Sequence, residues 1–163
     1  MLKRILVPLD GSPLAEDAIG LAAAIARAEG AEIDLVMVHE PLFAAQSADP
    51  TWTGKQIVAE DRYLRDIAAE LATGAGVTAQ QTLLHGKPSD LIVTRALDAG
   101  ADLIVMTSHG RTGWSRAWMG SVADAVMRGS NVPVLMVRAN DLRRDRRALR
   151  APIRRILVPL DGS

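Results

Sequence analysis

An α/β fold, with a parallel sheet covered by helices on both faces, is what this sequence predicts, and three observations predict it. Four short runs, Ile5-Leu6-Val7, Leu35-Val36-Met37-Val38, Leu103-Ile104-Val105-Met106 and Val134-Leu135-Met136-Val137, are apolar at every position. Strands with one wet face alternate, whereas strands buried on both faces read as continuous apolar runs. Segments of helical periodicity separate the runs, and strict alternation of strand and helix calls for parallel pairing through crossovers.

The elements follow in order. After the first run, a helix is expected over 13–29, where alanine dominates and Leu14, Ala18, Leu21, Ala22 and Ile25 recur at three- and four-residue spacing. Ser12 before Pro13 supplies a cap and a first-turn residue, and Gly30 supplies the stop. A second helix is expected over 54–71, with Ile57, Leu64, Ile67 and Leu71 as its apolar stripe and a break at Gly74-Ala75-Gly76. Residues 77–84 alternate more and carry Gln80 and Gln81, which suits a fifth strand at a sheet edge with one wetter face. A helix over 88–99 opens at Pro88 and closes at Gly100. The last, over 121–128, has Ser121 as cap or first residue and Gly129 as terminator.

Bulk composition narrows the function classes. The chain has 163 residues, 48% of them hydrophobic, enough for one domain with a sizeable core. Lysine and arginine total 19 and are matched by 19 acidic residues, so no overall field draws the chain toward nucleic acid or an anionic membrane. Without cysteine there is no disulfide, thiolate metal site or cysteine nucleophile. The apolar stretch after Met1 is interrupted by Pro8 and Asp10, too early for a secretion signal, and no run approaches the roughly 18 residues of a membrane span. A cytoplasmic protein is expected.

The decapeptide Lys3-Arg4-Ile5-Leu6-Val7-Pro8-Leu9-Asp10-Gly11-Ser12 recurs at 154–163 with one change, Arg154 for Lys3. We therefore expect a domain over 1–138, an arginine-rich linker over 139–152, and over 153–163 the first strand of a second, incomplete copy. That strand is expected to be disordered or docked on a neighbouring chain. Asp141 and Asp145 dilute the arginines of the linker and no aromatic residue interleaves them, so a solvated linker is favoured over a nucleic-acid contact.

In open parallel sheets, ligands bind beyond the carboxyl ends of the strands, where strand order reverses. Two loops there carry chemistry. Residues 107–121, Thr-Ser-His-Gly-Arg-Thr-Gly-Trp-Ser-Arg-Ala-Trp-Met-Gly-Ser, hold glycines that let backbone amides approach an oxyanion, and they end at a helix amino terminus. A plain connector reads the same way, and neither a P-loop nor a GxGxxG pattern is present. In Pro8-Leu9-Asp10-Gly11-Ser12, Asp10 could accept hydrogen bonds from a ribose, hold magnesium against phosphates, or cap the first helix. His39 and His109 stand near strand ends where a proton-transfer residue could sit, although a packed or anchoring histidine is commoner. His85 shows no partner. Trp114 and Trp118 could stack on a base or form a lid.

The Pro-Leu-Asp-Gly-Ser opening, and the His109-Gly110 loop running to Gly120-Ser121 and on to Val122-Ala123-Asp124-Ala125-Val126 and Asn131-Val132-Pro133-Val134-Leu135-Met136-Val137, resemble the universal stress protein family over 2–138. The resemblance implies an adenine nucleotide alpha-hydrolase-like sheet in the order 3-2-1-4-5, with its reversal between the strands bearing Asp10 and Thr107. The family's ATP-binding members carry a glycine, two residues, a glycine, nine residues, then glycine and serine or threonine. Gly110, the nine residues 111–119, Gly120 and Ser121 match, whereas Thr107 replaces the first glycine and would crowd the backbone there.

By the same resemblance Val38 would meet adenine through its backbone. Pro8, Leu9 and Asp10 would border the ribose or a bound magnesium, and Thr107, His109, Gly110, Arg111, Gly120, Ser121 and Val122 would surround the phosphates. Arg116 could neutralise charge beside Arg111. The implied function is a stress-response regulatory or sensor module binding ATP or AMP, assembled as a homodimer through an edge strand at 132–137. The alternatives are a slow magnesium-dependent ATPase or phosphotransferase, and a dimerisation module without ligand.

Overall fold

The computed structural model describes residues 1–40, 50–108 and 120–137, and within them five parallel strands are arranged in the order β3-β2-β1-β4-β5. They are β1 (Arg4–Leu9), β2 (Glu32–His39), β3 (Ala79–His85), β4 (Leu103–Thr107) and β5 (Val134–Val137). The helices are α1 (Asp17–Glu29), α2 (Pro50–Glu70), α3 (Pro88–Asp98) and α4 (Ser121–Gly129). Residues 139–163, expected above to be a linker and the first strand of a second copy, lie outside the described residues.

The continuous apolar runs have the expected cause, since alternate residues of one strand enter opposite cores. Ile5, Val7, Ile33, Leu35 and Met37 pack under α1 and α2 with Ala18, Ala22, Ala26, Leu64 and Leu71. Leu6, Val36, Ile104 and Met106 pack under α3 and α4 with Ile92, Ala96, Ala123 and Val126. On β3, by contrast, Gln80 and Gln81 remain exposed, as an edge position permits.

Element ends differ from expectation in three places. Helix α1 starts at Asp17 instead of at residue 13, because Ala15, Asp17, Ala18 and Ile19 donate to carbonyls three residues back and the chain enters the helix through tighter turns. Ser12 does act as a local cap, its Oγ accepting the Ala15 amide at 3.2 Å. Helix α2 begins earlier than residue 54 and ends in a π turn over Leu71–Ala75, closed by Gly76 at φ +64°. Val77 is thereby left out of the third strand. Its amide donates to the Leu71 carbonyl at 3.2 Å, and pairing starts only at Ala79.

One charge sits inside the second core. Asp34 on β2 is 1% exposed, and its Oδ2 accepts from both Nε and Nη2 of Arg95 on α3 at 2.8 Å. Thr82 of β3 donates to Oδ1 at 3.2 Å. The three groups tie β2, β3 and α3 together, and each carboxylate oxygen has a partner, as burial demands.

The ladders flanking β1 are unequal. Pairing with β2 continues to Leu9–Met37, but pairing with β4 comprises only Ile5–Leu103 and Leu6–Ile104. Sequence explains this. The Glu32 amide donates to the Lys3 carbonyl, so odd residues of β1 turn their backbone groups toward β2 and even residues toward β4. Pro8 therefore faces β4, and it has no N–H with which to continue the ladder.

Two outcomes follow. Arg95→Leu leaves a buried, uncompensated carboxylate and should lower unfolding free energy by about 3 kcal/mol, while Asp34→Leu combined with Arg95→Leu should recover most of it; urea unfolding of both variants checks this, and equal losses would refute it. Pro8→Ala supplies an N–H aimed at β4, and that amide should exchange with deuterium roughly tenfold or more slowly than an exposed loop amide. Exchange at the free rate would show that proline does not end the ladder.

Candidate functional site

Where β1 and β4 part, a cavity of about 310 Å³ opens at the carboxyl ends of the strands. Its floor is apolar, with Val36, Ile92, Met106 and Ala123 from one core and Leu9 and Ala15 from the other. Eight of the residues singled out from sequence line it together: Pro8, Leu9, Asp10, Val38, Thr107, Gly120, Ser121 and Val122. They come from four separated segments, 8–10, 38, 107 and 120–122, that this strand order brings together. His109, Gly110 and Arg111 lie outside the described residues, as do Arg116, Trp114 and Trp118.

Asp10 is held by its own turn, its Oδ1 accepting the Ser12 amide at 2.9 Å. This is the turn role that its position allows, since an aspartate side chain readily accepts the amide two residues on. Its charge also reaches Tyr63 on α2. The Tyr63 hydroxyl donates to Glu16 at 3.0 Å, and its pKa is pushed well above the ordinary range, chiefly by burial, then by that bond and by the charges of Glu16 and Asp10.

At the opposite wall, the Gly120 amide donates to the Ser108 carbonyl at 2.7 Å, which pins the start of α4 to the end of β4. Gly120 occupies the cap position with φ −69° and ψ 152°, no side chain caps the helix, and Ser121 is its first residue. The first backbone hydrogen bond of the helix is Asp124 N–H to the Gly120 carbonyl. The amides of Ser121, Val122 and Ala123 precede it, as the leading donors of a helix do, and the positive end of the helix dipole stands with them at the cavity.

The charged residues among the described lining are Asp10, Glu40 and Glu60. An anionic group would thus rely on the α4 amides, away from the carboxylates. His39 does not line the cavity. It is 3% exposed, and its Nδ1 lies 2.8 Å from Glu60 Oε2. His85 meets it edge to face, with ring centroids 5.6 Å apart. His39 is anchored to α2 through Nδ1 while its Nε2 is buried without a hydrogen-bond partner, and His85 is exposed.

Sequence reasoning missed part of the wall: Glu40, Gln56, Glu60, Pro88 and Ile92. A signal existed for Glu60. The stripe of α2 at Ile57, Leu64, Ile67 and Leu71 skips a turn, and Glu60 stands at the skipped position with Gln56 one turn before it. Polar residues on a stripe that should be apolar mark where the helix passes beyond the core.

The universal stress protein family model matches residues 1–138. Universal stress protein MJ0531 of Methanocaldococcus jannaschii is 32% identical over 141 residues, covering 85% of this chain and 83% of the relative. A universal stress protein of Thermus aquaticus is 33% identical over 144 residues, covering 85% of this chain and the whole relative. Among solved structures, the hypothetical protein MJ0577 superposes with a TM-score of 0.75 at 31% identity, covering 85% of this chain and 96% of that one. A universal stress protein in complex with cAMP superposes with a TM-score of 0.66 at 26% identity, covering 85% and 98%. Sequence, strand order and these likenesses agree, and the chain belongs to the universal stress protein family.

Proposed function

We propose that this chain is an adenine-nucleotide-binding regulatory module of the cytoplasm, holding ATP or AMP in the cleft between β1 and β4 and acting in a stress response. One observation carries the reading: Asp10, Val38 and the amino end of α4 border a single cavity. A ribose would lie against Asp10, phosphates against the Ser121 to Ala123 amides, and a base against Val38 over the apolar floor. The family relative in complex with cAMP supports an adenine nucleotide as the ligand class.

A magnesium ion, where used, would be held by Asp10 together with nucleotide phosphates, which suits an ion that takes one or two carboxylates and keeps its remaining sites for water and phosphate. Among the described residues no group of three metal-ligating side chains occurs, so such an ion would depend on the nucleotide for protein-independent ligands.

The same reading includes pairing of two chains through β5. Val134, Leu135 and Met136 are only half-buried on this edge strand, which favours cover by a second sheet. The repeated decapeptide supports a tandem arrangement, with the matching strand of a second copy as the alternative cover. Sedimentation at micromolar concentration should give a dimer mass, and a strictly monomeric chain would remove this part of the proposal.

Titration calorimetry with ATP and AMP tests the site itself, and absence of binding at millimolar nucleotide would overturn it. Ser121→Pro removes one amide donor at the first helical position, where proline is tolerated, and the extended Gly120 before it already has the backbone a proline requires. ATP affinity should fall about tenfold or more while the melting temperature holds. Unchanged affinity would show that the α4 amides do not carry the phosphates.

A further inference from the structure

Strand β1 is the centre of the sheet, and its sequence occurs twice in this chain. Residues 2–12 and 153–163 agree at nine positions and differ at two, Ile153 for Leu2 and Arg154 for Lys3. The slot that β1 fills makes demands on each side chain. Ile5, Leu6 and Val7 are wholly buried and Leu9 is nearly so. Ile156, Leu157, Val158 and Leu160 repeat them in the same order. Gly11 stands at φ +76°, and Gly162 repeats it. Pro8, which ends the ladder with β4, is repeated as Pro159.

The two differences fall where the slot does not discriminate. Lys3 is used through its backbone, its amide donating to Asp102 Oδ2 at 2.6 Å and its carbonyl accepting the Glu32 amide, while its side chain is exposed. Arg154 keeps both backbone groups and the charge. Leu2 is half-buried against the core under α1 and α2, and its amide donates to Glu29 Oε2 at 3.2 Å. Isoleucine keeps that amide and has nearly the same volume. Arg4, whose Nη1 donates to the Ala99 carbonyl at 2.6 Å, is repeated as Arg155. The second copy therefore carries every group that the described structure uses from Leu2 to Leu9.

We propose that residues 153–163 are a second, interchangeable β1, which the sheet of the same chain accepts when residues 2–12 leave it, and which brings Asp161 to the cavity in place of Asp10. Reach allows this. From the carboxyl end of β5 to the amino end of β1 is two strand spacings, about 10 Å, and one strand length, about 20 Å, while residues 138–152 span at most roughly 50 Å. A tethered segment also has a high effective concentration at its own sheet, which favours the same chain over a neighbour. In the native chain the first copy holds the slot. The second must close the loop 138–152 and gives up the covalent link to Pro13.

The test is thermal melting of the 163-residue chain and three variants. Leu6 is wholly buried, so Leu6→Asp expels the first copy from the sheet. That variant should still melt cooperatively, roughly 10 °C below the native chain, because the second copy takes the slot at the cost of closing a loop. Leu157→Asp alone should melt as the native chain does. Both changes together should abolish the cooperative transition. Equal behaviour of Leu6→Asp and the double variant, both folded or both unfolded, would overturn the inference, as would Leu157→Asp melting as low as Leu6→Asp. A cross-link locates the strand. The chain has no cysteine, and Leu9 pairs in register with Met37. Met37→Cys with Leu160→Cys, placed in the Leu6→Asp chain, should join on oxidation at the mass of one chain and independently of protein concentration. No cross-link, or one that joins two chains, would overturn placement in the chain's own sheet.

Discussion

The cleft depends on a hydrogen bond that cannot be made. Pro8 faces β4 without an N–H, so the β1–β4 ladder stops at Leu6–Ile104 while the β1–β2 ladder runs on to Leu9–Met37. Strand order alone would give a shallow groove where the crossovers diverge. The interrupted ladder deepens it by leaving Val7 to Leu9 and Val105 to Thr107 unpaired with each other. Asp10 and Thr107 then stand on opposite sides of an opening instead of on adjoining rungs.

Charge is distributed along this opening in a consistent way. One end is bounded by the leading amides of α4, drawn against β4 by the Gly120 to Ser108 bond. Glu40, Glu60 and Asp10 also line the cavity. The floor is drawn from both cores, so the helices that bury each face of the sheet also fix the site.

Much of this was legible in the sequence because it follows from local rules. Runs without alternation gave the buried strands, alanine spacing gave α1, and the Pro-Leu-Asp-Gly-Ser turn and the Gly120-Ser121 pair marked two loops that do meet at one cavity. The resemblance to a family supplied the strand order, which no local pattern encodes. What escaped depends on tertiary neighbours. Asp34 sits beside a run of apolar residues and is buried only because Arg95, 61 residues later, reaches it. Val77 looked like a strand residue, but the π turn captured its amide. Glu60 interrupts a helical stripe, and its partner His39 lies on another element, so its place in the wall could not be read from spacing alone.

The two edges of the sheet are chemically unlike, and this bears on how far assembly can proceed. Gln80 and Gln81 leave β3 with exposed polar side chains, while β5 presents half-buried Val134, Leu135 and Met136. Contact between one β5 and another uses the same patch on both chains and is complete at two. Growth into a filament would need β5 of one chain to join β3 of the next, a heterologous contact between an apolar edge and a polar one. If chains pair through β5 as proposed, the polarity of the third strand would act as a terminator, permitting finite association while discouraging open-ended stacking of sheets.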